Sequence, residues 1–134
     1  MGTILSISSV NPVENFTNII GIGSDSTDTN LQIFHNDASG TATKIDLGAT
    51  FPANKSGAVA NGEVYTLELF NDYLSTSVKY RVTKVSTGEN TTGTITTNLP
   101  ASNVPLAPQV VRTSGSTSQN VSIDILQLNA FSKF

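Results

Sequence analysis

Cysteine is absent from the 134 residues, so no disulfide framework and no thiolate metal site contributes, and the core must carry the fold alone. Only seven residues are basic and they are scattered, whereas phosphate binding by counterion release needs clustered Lys and Arg. With a formal net charge of -3, nucleic acid is not an expected partner. No run approaches the ~18 apolar residues of a membrane span, and no basic stretch precedes an apolar one near Met1. Membrane insertion and a secretory leader are therefore not expected. Helix-length amphipathic periods are missing as well.

What is abundant is Thr, Ser and Asn, which supply 47 of the 134 residues against 17 charged ones. Such a surface is solvated by hydroxyls and amides, and Thr-rich sequence with few helix formers favours strands. The length suits one domain, 1–134, with a real core. Strand signals recur at 3–9, 18–23, 31–35, 43–47, 63–70, 77–85, 94–98, 109–113 and 121–129, separated by turn residues. Nine short strands with polar turns predict an all-β sandwich or barrel. Tyr65, Leu67 and Leu69 alternate with Val64, Thr66 and Glu68, and Val78, Tyr80 and Val82 with Lys79, Arg81 and Thr83, the period of half-buried strands. Gly88 is expected to turn a hairpin that makes the strands near Val82 and Thr94 antiparallel neighbours. The loop 36–40 is expected to join 31–35 to 43–47. Three prolines at positions 100, 105 and 108 make 98–108 a surface crossing loop.

Several of these segments are similar in wording to one family. Ile20-Gly21-Ile22-Gly23, Asp25-Ser26-Thr27-Asp28-Thr29-Asn30, His35-Asn36-Asp37 and Lys44-Ile45-Asp46-Leu47-Gly48 come first in chain order. Glu63 to Phe70, Tyr80-Arg81-Val82-Thr83, Gly93 to Pro100, Leu106-Ala107-Pro108-Gln109 with Arg112, and Ser122-Ile123-Asp124-Ile125 follow. Together they resemble the concanavalin-A-like, lectin-like β-sandwich domains found near the ends of tailed-bacteriophage fibre and spike proteins. The resemblance implies an antiparallel jelly-roll-like sandwich and a virion structural role, made in the host bacterial cytoplasm, with assembly and host-glycan contact in place of catalysis. A capsid decoration or head-fibre protein and a glycan depolymerase are its alternatives. It also implies other virion proteins as partners and a homo-oligomer, a trimer being favoured. Members usually carry a further set of strands ahead of the segment like 18–30, so either the chain is a compact variant or its sheets are completed by another subunit or a neighbouring virion protein. Their acidic tail is replaced here by Gln127-Leu128-Asn129-Ala130-Phe131.

Three constellations could carry chemistry. Asp25, Asp28 and Asn30 offer oxygen ligands of the kind Ca2+ prefers, but at spacing unlike an EF-hand, and Asx turns explain the same residues without a cofactor. His35 with Asp25 or Asp28 and Ser39 has the residue types of a hydrolase triad but no nucleophile elbow, and a strand-end histidine bonded to its own hairpin is the expectation. Asn71, Asp72 and Tyr73 place an aromatic beside amide and carboxylate groups, the combination that binds sugars and the best glycan-binding candidate in the chain, although Tyr73 simply packing over the sandwich end is the favoured account. Glu63 and Glu68 lie on one strand and Glu89 on a turn, so paired-carboxylate glycoside hydrolysis is not expected.

Overall fold

The computed structural model describes residues 12–53, 62–72, 74–112, 125 and 127–129. It is all-β with two antiparallel three-stranded sheets. The helical content of the described residues is one short 3-10 helix, Pro12–Asn15. Sheet one holds β1 (Ile19–Gly23), β2 (Gln32–Asn36) and β3 (Thr43–Asp46) in sequence order. Sheet two holds β4 (Tyr65–Phe70), β5 (Val78–Lys84) and β6 (Asn90–Ile95), also in order. Each sheet is a meander, so every connection between neighbours is a local loop.

The two sheets share one apolar core. Ile33 of sheet one and Val82 of sheet two are fully buried in it, with Leu31, Phe51, Tyr80 and Ile95 around them. Burial of each such aliphatic side chain is worth roughly 1.5 to 3 kcal/mol. Tyr65 ties the layers further: its hydroxyl donates to the Pro52 carbonyl at 2.9 Å and its ring lies 6.3 Å from that of Phe51. A second apolar cluster, Val13, Phe16, Phe34 and Ala42, covers the opposite face of sheet one.

The alternation read in 63–70 and 77–85 is realised over residues 65–68 and 78–82, whereas Leu69, expected on the face of Tyr65 and Leu67, is 40% exposed at the end of β4. Tyr65 and Leu67 face the core, Tyr80 and Val82 are buried, and Lys79 and Arg81 are exposed. Gly88 adopts φ +75°, and its N–H donates to the Lys84 carbonyl at 2.8 Å, closing the expected hairpin. The β-strand there runs Asn90–Ile95, four residues ahead of the expected 94–98, because pairing starts as soon as the turn closes, at Thr83 opposite Asn90. Thr91-Thr92-Gly93-Thr94 has no apolar alternation to announce it. Gly93 lies beneath the Tyr80 ring, where any Cβ would collide with it. Gly21 does the same for Phe34, whose Cζ would stand 2.8 Å from an added Cβ. The strand expected at 109–113 is not formed over its described part, 109–112, where the chain stays an irregular continuation of the proline-rich crossing. The expected strand 3–9 lies outside the described residues, as do 121–124 and 126 of the expected strand 121–129, whose described residues, 125 and 127–129, are not in a strand.

Candidate functional site

Where β4 ends and β5 begins, the turn 71–77 faces the segment 96–106 that leaves β6, and between them lies an open cleft of about 620 Å³. Ile20, Leu69, Val78, Leu99 and Leu106 contribute its aliphatic surface. Asn71, Thr76, Thr96, Thr97 and Ser102 contribute amide and hydroxyl groups, all on exposed residues. None of the described lining residues is ionisable. Leu74, between the lining residues Asn71 and Ser75 in sequence, is 84% exposed with φ +61°. A bulky side chain in the left-handed region costs of order 1 to 3 kcal/mol and persists only where surroundings impose it, a pattern that concentrates at binding sites.

One wall of the cleft is fixed by Asn98, at φ +50°. Its side-chain oxygen accepts the Asp37 N–H at 3.0 Å, and its amide nitrogen donates to Thr43 Oγ1 at 2.9 Å. His35 Nδ1 lies 3.0 Å from the Asn98 carbonyl, which accepts only, so that nitrogen carries the proton. The lone histidine is therefore bonded across the sheets to the β6 exit, and not to its own hairpin as expected. The reason is that β2 is the central strand of its sheet and buries His35 between layers instead of leaving it at a solvent-facing end. Ser39 caps Asp37 through its N–H, at 2.8 Å, and takes no part near His35.

Asp25 and Asp28 are brought together, and Lys44 lies between them. Its ammonium is 3.2 Å from Asp25 Oδ2, 2.9 Å from Asp28 Oδ2 and 3.8 Å from Glu14 Oε1. Asp25 is side-chain inaccessible and also accepts the Val13 N–H at 3.1 Å, while its own N–H donates to Asp28 Oδ2 at 2.8 Å. Burial pulls the Lys44 pKa down, but hydrogen bonds to Asp28 and Asp25 and their charges outweigh it, so the group is held above its ordinary 10.5. Asn30 points elsewhere, donating to Asp46 Oδ1 at 3.0 Å. Asp46 also accepts the Gly48 N–H at 2.6 Å; that bond, with those from Gln32 and Asn30, pulls its carboxyl below the usual range. Among the described residues, no group of three or more His, Asp or Glu is placed to hold a metal ion. The cation that Asp25 and Asp28 meet is the protein's own ammonium.

Asn71 and Asp72 are exposed in the turn beside the cleft, Asn71 within its lining. Asp72 pairs with Lys79 at 3.2 Å and its carbonyl accepts the Ser75 N–H at 2.9 Å. Tyr73 lies outside the described residues. Of the remaining carboxylates, Glu63 meets Lys84 at 3.5 Å, Glu68 meets Arg81 at 3.8 Å and Glu89 accepts the Thr87 hydroxyl at 2.9 Å. Sequence reasoning missed Lys44 and Asn98, whose partners are 16 to 19 and 55 to 63 residues away and leave no local pattern. The proline run was the one visible sign that 98–108 crosses the fold. No protein-family model, curated protein or solved structure matches the chain.

Proposed function

We propose that the chain is a structural domain of a tailed-bacteriophage virion, part of a tail fibre, spike or other appendage, working in assembly and in contact with a host-surface glycan, without catalysis. The virion assignment, its jelly-roll completion by another chain and its trimeric state rest on the resemblance carried by 18–48 and 63–100. Support for partner strands comes from β6, Asn90–Ile95, an edge strand of sheet two among the described residues, which carries no charged residue or proline to discourage pairing.

The observation that carries the contact reading is the cleft at 69–78 and 96–106, which groups loops at one end of the sheets as ligand sites on sandwiches do. Asn71 and Asp72 belong to one of those loops, and Tyr73 follows them in sequence. Two measurements test the proposal. Antibody against the chain should label purified phage particles from the source culture. Tyr73→Ala and Asn71→Ala should abolish adsorption of the protein to host cells while stability stays within about 1 kcal/mol, as for exposed contact residues. Unlabelled particles would remove the virion assignment, and undiminished adsorption of both variants would remove the contact site.

A further inference from the structure

Resting on that contact reading, we infer that the cleft takes an uncharged saccharide and discriminates against acidic glycans such as sialosides and uronates. A carboxylate entering the cleft gives up its hydration and needs a guanidinium or ammonium in return. None of the described lining residues supplies one. On the neighbouring strand, Lys79 sits 3.2 Å from Asp72 and 6.0 Å from the centre of the Phe70 ring, and Arg81 faces Glu68, so each cation there stands beside a carboxylate that repels a second one.

A neutral pyranose meets both halves of the lining. Its C–H face lies on the aliphatic surface of Leu69, Val78, Leu99 and Leu106, and its hydroxyls reach Asn71, Thr76, Thr96, Thr97 and Ser102. The volume falls inside the range of small-ligand sites, roughly 300 to 1,000 Å³. Leu74, 84% exposed and in the left-handed region between the lining residues Asn71 and Ser75 in sequence, is a separate sign that this end meets a ligand that desolvates it. A sugar with a methyl or deoxy position suits such a side chain best.

The full chain, applied to an array of neutral and acidic microbial oligosaccharides, should bind neutral members, with affinity equal at about 0.05 and 0.5 M salt because no ion pair forms. Ala101→Trp, which fills the cleft from an exposed position, should weaken binding about ten-fold or more with an unchanged melting midpoint. Leu74→Asn, a residue that tolerates the left-handed region, should weaken it several-fold and serves as the check should the tryptophan variant not fold. Binding confined to acidic glycans, or affinity that falls with salt, overturns the neutral-ligand inference and leaves the contact reading standing. Neutral binding that both variants leave intact overturns the cleft as the site. No binding to any glycan overturns the contact reading itself.

Discussion

The central strands of the two sheets, β2 and β5, have the same number of neighbours and opposite surroundings. All five residues of β2 are buried, including Gln32, His35 and Asn36, because the shared core covers one face and Val13, Phe16 and Ala42, packed on Phe34, cover the other. β5 buries Tyr80 and Val82 while Lys79 and Arg81 stand in water. Polar groups near β2 must then be satisfied by protein. Asn36 donates to the Phe16 carbonyl at 2.7 Å, although its own Oδ1 is buried without a hydrogen-bond partner among the described residues, His35 reaches Asn98, and the covering segment is tied down where Val13 donates to Asp25. On the outer face of sheet two, water competes for every polar contact, so the same residue types there carry little of the fold's stability.

The largest expected effect lies on the covered side. Asp25→Ala leaves the Val13 N–H without its acceptor and removes one counter-charge from Lys44 in a setting where the carboxylate has no solvent access. Breaking a buried pair of this kind costs about 3 to 5 kcal/mol, measurable by urea denaturation. The alkaline limb should change too. Because Lys44 is held above 10.5 in the folded protein, its stabilisation is complete below that pH and is lost as pH rises through the folded value. With Asp25 gone the elevation shrinks, and the variant loses less stability between neutral and strongly alkaline pH than the parent. A cost under about 1 kcal/mol with an unchanged alkaline slope would mean that the cover over β2 does not depend on this cluster.

This contrast also explains which parts of the fold were legible. In β4 and β5 one wet face writes a two-residue alternation into the sequence, and the inward residues could be read off directly. In β2 both faces are dry, so Leu31-Gln32-Ile33-Phe34-His35 shows no alternation and the place of His35 between sheets was hidden. Turn chemistry was readable where a glycine had to take a positive φ, as at Gly88, and unreadable at Asn98, whose conformation is fixed by partners far along the chain. The cleft was half legible. Asn71 announced a polar turn, but the apolar residues opposite it come from a loop whose position depends on Asn98.

Two glycines sharpen the comparison at intermediate size. Gly21→Val in β1 drives a side chain into the Phe34 ring, which is itself packed among Val13, Phe16 and Ala42 and has little room to move. Overpacking of that kind costs about 2 to 3 kcal/mol. Gly88→Val in sheet two meets no atom within 4 Å and suffers only from its φ of +75°, a backbone strain of about 1 to 2 kcal/mol. Thermal melts of the two variants should therefore rank Gly21→Val as the more damaging. The reverse order would place the tighter packing in sheet two.

The smallest effect should come from Glu68→Ala, on the wet face of β4. Glu68 stands opposite Arg81 in register, with 3.8 Å between Oε2 and Nε, and both side chains are more than half exposed. Their attraction is screened by water and mobile ions, and holding two long side chains in one geometry offsets much of what remains. Stability should shift by no more than about 0.5 kcal/mol, and in about 1 M salt the difference from the parent should vanish. The cross-strand position makes the measurement informative, because charge pairs directly opposite one another on a sheet contribute at most about 1 kcal/mol even when they are well formed. A loss of roughly 2 kcal/mol or more, the scale of a buried partner, would show that the outer face of sheet two is covered in the working protein. In that case the contrast between the sheets would belong to the single chain and disappear in its assembly.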